Sequence, residues 1–296
     1  MQTLYSLEAQ DNQKTGDAQR ILQKHFDHTR QLFIYLIYFL TELARYAETD
    51  SLRRSSKHLP TELDKNVNTK LAGNQLLWKM LEQESYQKML KKDKPELIES
   101  NELVRKLYLE LRDSEEYKNY ISENSRDKKP EKEILEYIFN DFMLAHDAFE
   151  SHLEEMFPNW SDDAEMMEKL VSGYLNKTTA FNFEEIISPD KAAFARDLLT
   201  AVLEKREVTM DMIRPKLKNW DADRIATLDM IFMQMGVCEF LYFETIPPKV
   251  TINEYIDLAK DYSTPLSGQF VNGILDSIHK DLVTENKMHK VNFKPS

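Results

Sequence analysis

The sequence predicts an all-α protein, and three observations support this fold class. The 296-residue chain contains only 6 Gly and 10 Pro, whereas β-sandwiches and barrels need many turns and nucleotide-binding sheets need glycine loops. Long windows are dominated by Leu, Glu, Lys, Met, Gln and Ala, which favour helices. Apolar residues recur at helical spacing, with no strand-like alternation and no internal repeat.

The composition is typical of a globular protein, with 42% hydrophobic and 30% charged residues. Because Cys238 is the single cysteine, neither an intramolecular disulfide nor a cysteine-based zinc site can form, which favours the reducing cytoplasm. The first residues lack the basic and apolar regions of a signal peptide. The apolar run at 32–40 has nine residues, and a membrane span needs about 20. It therefore predicts a buried helix.

The net charge of −12 argues against a protein that coats nucleic acid by bulk charge. Residues 1–189 contain 25 basic and 35 acidic side chains, whereas residues 190–296 contain 14 and 16. The acidity therefore lies in the first two thirds of the chain, and the last third can still carry a local basic face.

Breaks in the apolar pattern predict the order of the helices. A short helix at the start is followed by the break DNQKTGD, a long helix over 17–48 and a polar linker over 51–66. Pro95 and Pro130 lie in the first turns of later helices, where a missing N–H costs nothing, and Ser161 is the predicted N-cap of another. The remaining predicted helices cover 68–93, 95–122, 131–156, 162–178, two segments between 190 and 218, and the window DADRIATLDMIFMQMGVCEFLYF.

The stretch IPPKVTINEYIDLAK, residues 246–260, predicts a helix with a sharply defined start. Thr251 and Glu254 have the spacing of a capping box, in which each side chain accepts from the backbone N–H of the other. Such a cap contributes about 1 kcal/mol. Val250 and Tyr255 are spaced for a hydrophobic staple, and Asn253 is assigned to structural capping.

The stretch SGQFVNGILDSI, residues 267–278, predicts a second helix capped by Ser267. Gly273 lies in the middle of this helix, where glycine costs about 1 kcal/mol relative to alanine. Either a close helix crossing, or a ligand or partner backbone near Asn272, would offset that cost. The apolar face of the helix comprises Phe270, Val271, Ile274, Leu275 and Ile278.

Together the two stretches resemble the C-terminal signature of the NusB family of bacterial transcription antitermination factors. That signature is a proline-bearing loop, K-V-x-I-N-E-x-x-x-L-A-K, a short loop and F-V-N-G-x-L-D, and every fixed position is met. The family's D-R-x-x-L-R-L-A-x-Y-E-L helix is loosely resembled by DRIATLDMIFMQM. The helix pair before it is resembled by AFARDLLTAVLEKREVTMDMIRPKLKNW, and the family's first helix by MQTLYSLEAQ.

The resemblance implies a NusB-like fold of two three-helix subdomains with an additional helical insertion. It predicts four segments: the first NusB helix at 1–12, an acidic helical insertion at 13–189, the NusB core helices at 190–284, and a basic C-terminal tail at 285–296.

No catalytic step, cofactor or membrane association is predicted, and the cytoplasm is the expected location. The family binds boxA RNA of ribosomal RNA transcripts together with NusE, a protein of the small ribosomal subunit. The complex makes RNA polymerase resist termination.

The family's surfaces, carried over by position, place Tyr5 on the partner and RNA surface. They place Ser267, Gly268, Gln269, Phe270 and Asn272 at the start of the last helix, whose N–H groups suit phosphate. Phe270 either stacks on an RNA base or belongs to the core.

Lys249 is the leading candidate for phosphate contact, and the alternative is a solvated surface lysine. Further candidates are Lys280, Lys287, Lys290 and Lys294.

One departure from the family favours a second interpretation. The family carries an arginine-rich segment before the first helix, whereas Met1 lies directly in the predicted helix. Either the given start lies too far downstream or the segment was lost. Phosphate neutralisation is a large share of RNA affinity. The chain is therefore either an RNA-binding factor or an interaction module of the same fold that has lost direct RNA binding.

The sequence does not predict either of two enzyme classes. His146 and His152 lie among carboxylates, but neither has the Glu-x-x-His spacing of a di-iron bundle, so no metal site is expected. An RNA methyltransferase with a NusB-like domain needs a glycine-rich cofactor loop after a strand. Six glycines and no predicted strand argue against it.

Overall fold

The computed structural model describes residues 1–9, 15–178, 181–217 and 225–291, and within these ranges it contains helices and no strand. The all-α prediction is confirmed. The chain divides into two compact units: unit 1 comprises Met1–Lys24 and Ile187–Ser296, and unit 2 comprises His25–Ile186. Residues 15–24, which the sequence assigned to the insertion, thus belong to unit 1.

The α-helices are described in chain order. They are α1 Gln2–Ala9, α2 Thr15–Ser55, α3 Glu62–Lys65, α4 Gln75–Glu82, α5 Glu84–Asp93, α6 Asn101–Leu111, α7 Glu115–Ser122, α8 Lys128–Glu136, α9 Asp147–Met156, α10 Trp160–Asn176, α11 Pro189–Glu204, α12 Arg206–Ile213, α13 Thr227–Tyr242, α14 Pro248–Tyr262 and α15 Ser267–Thr284. Short 3-10 helices cover Pro95–Leu97, Phe183–Glu185 and Arg214–Leu217, and a π-helical segment covers Tyr137–Met143.

Unit 1 is built around α13, which is the central helix of its core. Residues 231–240 of α13 are all buried, including the polar Gln234 and Glu239, and a helix buried on all sides is expected to be mostly apolar. Helices α14 and α15 pack against α13 and against each other, while α1, α11 and α12 also contact α13. Leu4 and Leu7 of α1 enter the same core.

Unit 2 has its own core, centred on the apolar run of α2. Residues 32–37 are fully buried there, which confirms the expectation of a buried helix. The rings of Phe33, Tyr174 and Phe183 pack together, with the Tyr174 and Phe183 centroids 4.8 Å apart. Across the ranges described, no helix combines the length and apolar character needed to cross a bilayer.

Several helix boundaries differ from the prediction. Helix α2 continues to Ser55, so the predicted linker begins inside it. Helix α10 begins at the buried Trp160 with Asn159 as N-cap, so Ser161 lies within the helix and does not cap it. The windows 68–93, 95–122 and 131–156 are each divided into shorter helices. The break DNQKTGD lies mostly outside the described residues.

The predicted boundary between the first two windows coincides with a change in the backbone at Lys94. Its φ of 48° places it in the left-handed region and ends α5, a common way for helices to terminate.

Candidate nucleic-acid interface

Thr251 contacts helix α13 and does not form the predicted capping box; we call this contact between α13 and α14 the joint. Helix α14 begins at Pro248, one turn before the predicted start, because proline suits the first helical position. The buried Thr251 hydroxyl donates to Glu239 Oε2 at 2.8 Å, and the Tyr255 hydroxyl donates to Glu239 Oε1 at 2.5 Å. The capping box and staple are therefore wrong, since Thr251 and Tyr255 face α13.

The exposed residues of α14 take no part in this joint. Asn253 and Glu254 are exposed within the helix and do not cap its start, so their assignment to capping is also wrong.

Buried charge shapes the same joint. Burial raises the pKa of Glu239 above its ordinary value of 4.5 and also raises the pKa of Tyr255, whose hydroxyl faces this carboxylate. Lys290 Nζ donates to the carbonyl oxygens of Glu239 and Phe243, at 2.8 Å each, which satisfies acceptors at the C-terminal end of α13. Lys290, a candidate for phosphate contact, thus has a structural role here.

Ser267 fastens the start of α15 to the first turn of α13. It is only 1% exposed and is the first residue of α15, with Leu266 as N-cap. Its hydroxyl donates to Asp229 Oδ2 at 2.7 Å and accepts from the Thr264 N–H at 3.2 Å. The N-cap assignment is wrong because the buried carboxylate holds this hydroxyl inside the protein.

Gly268 permits α15 to pack closely on the last turns of α14. It is buried, and an added Cβ would lie 3.0 Å from Lys260 Cγ and 3.5 Å from the carbonyl oxygen of Ile256. Its role in the fold is therefore packing. Lys260 reaches the start of α15, and its Nζ lies 2.9 Å from Asp257 Oδ1.

Sequence reasoning missed Lys260 as a cation at this location. The signal that could have found it is the lysine that ends the L-A-K motif, directly before the turn into α15.

The outward side of α15 carries Gln269, Asn272 and Gly273, and we call these three residues the α15 face. All three are exposed, and their spacing of three and four places them on one side of the helix. Phe270 is half-buried and packs against the core of unit 1. The structure therefore brings the three α15 face residues together and turns Ser267 and Gly268 inward.

Gly273 and Gly236 differ in their surroundings. An added Cβ at Gly273 would meet nothing within 4 Å, whereas one at Gly236 of α13 would lie 2.8 Å from Leu275 Cδ2. The close helix crossing that was one explanation for Gly273 thus occurs at Gly236. For Gly273 the alternative remains, namely a ligand or partner backbone outside the chain.

The structure separates Lys249 from the start of α15. Lys249 is exposed in the first turn of α14, and the short connection makes α14 and α15 antiparallel. From Lys249 to Tyr262, at the end of α14, the helix rises about 20 Å. Lys249 therefore cannot share a phosphate with the N-terminus of α15. Tyr5 is 48% exposed on α1, and its role stays a prediction.

The other candidate cations are largely paired. Lys280 Nζ lies 2.6 Å from Asp276 Oδ2, and Lys287 Nζ lies 2.6 Å from Glu285 Oε2, whereas Lys294 lies outside the described residues. Exposed pairs of this kind contribute at most about 1 kcal/mol, so they can exchange for a phosphate. The α15 face itself thus offers amide groups and open backbone and carries no lysine or arginine.

Comparisons with known proteins find similarity to the NusB family. The NusB family model matches residues 155–280. A transcription antitermination protein NusB of Salinibacter ruber is 40% identical over 102 residues, which are 34% of this chain and 64% of the relative. Those of Methylacidiphilum infernorum and Finegoldia magna are 43% and 40% identical, covering 34% and 32% of this chain and 70% and 69% of the relatives. No solved structure matches.

Proposed function

Because the chain belongs to the NusB family, we propose that it acts in transcription antitermination. The relatives at 40–43% identity are named transcription antitermination proteins. In this proposal the chain binds boxA-type RNA of ribosomal RNA transcripts together with NusE. The complex then joins RNA polymerase and promotes processive transcription.

The observation that carries this proposal is the exposed glycine of the α15 face. A mid-helix glycine costs about 1 kcal/mol relative to alanine, and nothing within the described structure packs against Gly273. A missing side chain lets another backbone approach the helix closely. The neighbouring amides of Gln269 and Asn272 both donate and accept hydrogen bonds, which suits the base edges of single-stranded RNA.

We assign the chain a binding role and no catalytic step. The histidines considered as metal ligands have other partners, since His146 Nε2 lies 3.0 Å from Glu110 Oε2 and His152 Nε2 lies 2.5 Å from the Tyr35 hydroxyl. Among the residues that the structure describes, no group of three or more His, Cys, Asp or Glu side chains could hold a metal ion.

A titration of labelled boxA RNA tests the proposal. Fluorescence anisotropy is measured with the chain alone, with NusE of the same organism alone, and with both proteins. A scrambled RNA is the control, at one fixed salt concentration, because RNA affinity depends strongly on salt. We expect tight, sequence-selective binding only when both proteins are present. Equal affinity for the scrambled RNA in the presence of both proteins would contradict the proposal.

A second candidate is an interaction module that binds NusE without contacting RNA. The structural role of Lys290 favours it, because this candidate lysine is held by the carbonyl oxygens of Glu239 and Phe243 at the end of α13. The same titration, combined with gel filtration of the chain with NusE, separates the two candidates. Co-elution of NusE with the chain, without selective RNA binding, would identify the interaction module.

A further inference from the structure

Unit 2 contains a cavity with a concentration of lysines. The cavity has a volume of about 270 Å³ and is bounded by α4, α8 and the end of α10. Lys79, Lys128, Lys132 and Lys177 line it, and Leu76 and Leu175 supply apolar wall. The cavity lies wholly within unit 2, outside the part of the chain that carries the C-terminal motif.

This clustering runs against the charge of its surroundings. Residues 25–186 contain 22 basic and 32 acidic side chains, a balance of −10, yet the cavity is lined by four lysines and one carboxylate. Four lysines around one opening make the local electrostatic potential positive. A positive potential of this kind favours an anion in the cavity.

The one lining carboxylate is already engaged. Glu131 is only 2% exposed, and its Oε1 accepts from the Tyr120 hydroxyl at 2.8 Å. Its Oε2 accepts from the Gln75 N–H at 2.5 Å, and Arg126 Nη1 lies 3.7 Å from Oε1. Glu131 is thus engaged by buried donors and an arginine, and within the described ranges it forms no ion pair with the four lysines.

Three of the four lysines have no ion pair within the described ranges. Lys132 donates to Asn176 Oδ1 at 2.7 Å and lies 3.4 Å from Glu136 Oε1. Lys79, Lys128 and Lys177 are exposed at the cavity, with no carboxylate within ion-pair distance there. These three ammonium groups are available to a ligand.

We propose that this cavity binds a nucleotide through its phosphate group. Lysine ammonium groups bind phosphate as point charges, and the volume approaches the lower end of small-molecule pockets, about 300 Å³. A phosphate alone would leave most of that space empty, since a water molecule takes about 30 Å³. Leu76 is only partly buried and offers apolar surface to a base, and the exposed Gln75 also lines the cavity.

The phosphate can come from a free nucleoside monophosphate or from an RNA strand. Both sources present the same chemistry to the lysines, and methyl NMR distinguishes them. The full chain, labelled at leucine methyl groups, is titrated with AMP, with adenosine, and with a short single-stranded oligoribonucleotide lacking terminal phosphates. This site stands independently of the role proposed for the α15 face.

We expect AMP to shift the Leu76 and Leu175 methyl signals saturably, and adenosine to leave them unchanged. A matching shift with the oligoribonucleotide would identify the RNA backbone as a source of the phosphate. A shift with AMP alone would show that the site requires a terminal phosphate. Equal shifts with AMP and adenosine, or none with either AMP or the oligoribonucleotide, would overturn the proposal.

A matched pair of triple variants tests the lysines. The variant Lys79→Gln, Lys128→Gln, Lys177→Gln removes three charges at the cavity. The control Lys91→Gln, Lys92→Gln, Lys106→Gln removes three exposed charges of unit 2 away from it.

We expect at least tenfold weaker binding of AMP for the cavity variant and less than a twofold change for the control. Equal weakening of both would show an effect of bulk charge and overturn the site. The single variant Lys177→Gln, with an expected loss of two- to fivefold, serves if the triple variant is misfolded.

Discussion

The two sides of α15 come from the same short motif, residues 267–273, but they have very different surroundings. On the inner side, Ser267 binds a buried carboxylate, and an added Cβ at Gly268 would touch Lys260 of α14. On the outer side, Gln269 and Asn272 are exposed, and an added Cβ at Gly273 would meet nothing within 4 Å.

This difference separates residues that build the fold from residues available to a partner. A motif shared with relatives contains both kinds, and the motif alone does not sort them. In F-V-N-G the valine is buried and the asparagine and glycine are exposed. The inner side should therefore respond to substitution with lost stability, and the outer side with lost binding.

The largest expected effect is at Glu239, in the buried contact between α13 and α14 that supports the inner side of α15. In Glu239→Ala the hydroxyls of Thr251 and Tyr255 lose their buried acceptor, and each unsatisfied group costs about 1–3 kcal/mol. We expect a loss of about 2–4 kcal/mol in the stability of unit 1, measured by hydrogen exchange of the α13 amides, which reports on this unit alone.

The matched control for Glu239 is the exposed Glu254 on α14. Glu254→Ala should change the stability by less than about 0.5 kcal/mol, as for most surface substitutions. A loss of about 1 kcal/mol in the control would instead restore the capping box that the sequence suggested.

The next effect is at Gly236, where α13 meets α15. In Gly236→Ala the new Cβ would lie 2.8 Å from Leu275 Cδ2 and 3.3 Å from Tyr255 Cδ2. Both neighbours are buried, so they have little room to move, and overpacking of this kind costs about 1–3 kcal/mol. The same hydrogen-exchange measurement should show the loss. An unchanged stability would mean that the inner side is packed less tightly than the distances indicate.

Gly273→Ala should act in the opposite direction on stability. Alanine removes the helix penalty of glycine, and the space around Gly273 is open, so we expect about 1 kcal/mol of added stability. Binding of boxA RNA and NusE should nevertheless weaken, because the Cβ occupies the surface on which a partner approaches. A more stable protein with unchanged affinity would show that no backbone approaches closely at this position.

The smallest effect is a pH dependence at Glu239. Burial raises its pKa above 4.5 in the folded protein, so the folded state holds the proton more tightly than the unfolded state. Its contribution to stability is therefore fully present below pH 4.5 and is lost as the pH rises through the raised pKa. As pH rises through this range, the wild type should lose stability relative to Glu239→Gln, which has no proton to lose at this position. A difference that does not change with pH would contradict this.

Local pattern and composition were enough to predict much of the fold. The scarcity of glycine and proline predicted the all-α class, and the apolar run at 32–40 predicted a buried helix, because both depend on local chemistry. The two helices at 246–260 and 267–278 were also anticipated, within a turn at their starts.

Tertiary contacts decided what the sequence left open. The capping box at Thr251 failed because Glu239, twelve residues earlier, accepts the hydrogen bond of the Thr251 hydroxyl. Ser267 failed as a cap for the same reason, through Asp229, 38 residues earlier. The lysine cavity of unit 2 was not anticipated, since α4, α8 and α10 are distant in sequence and no spacing rule connects them.

The most direct test of the α15 face is a binding titration with two matched variants. Anisotropy of labelled boxA RNA with NusE is measured for the wild type, for Gln269→Ala with Asn272→Ala, and for Asn253→Ala. Asn253 is an exposed amide of the same motif on α14. We predict at least tenfold weaker binding for the α15 face variant and less than a twofold change for Asn253→Ala. Unchanged binding by the α15 face variant, or an equal loss in both variants, would contradict the assignment.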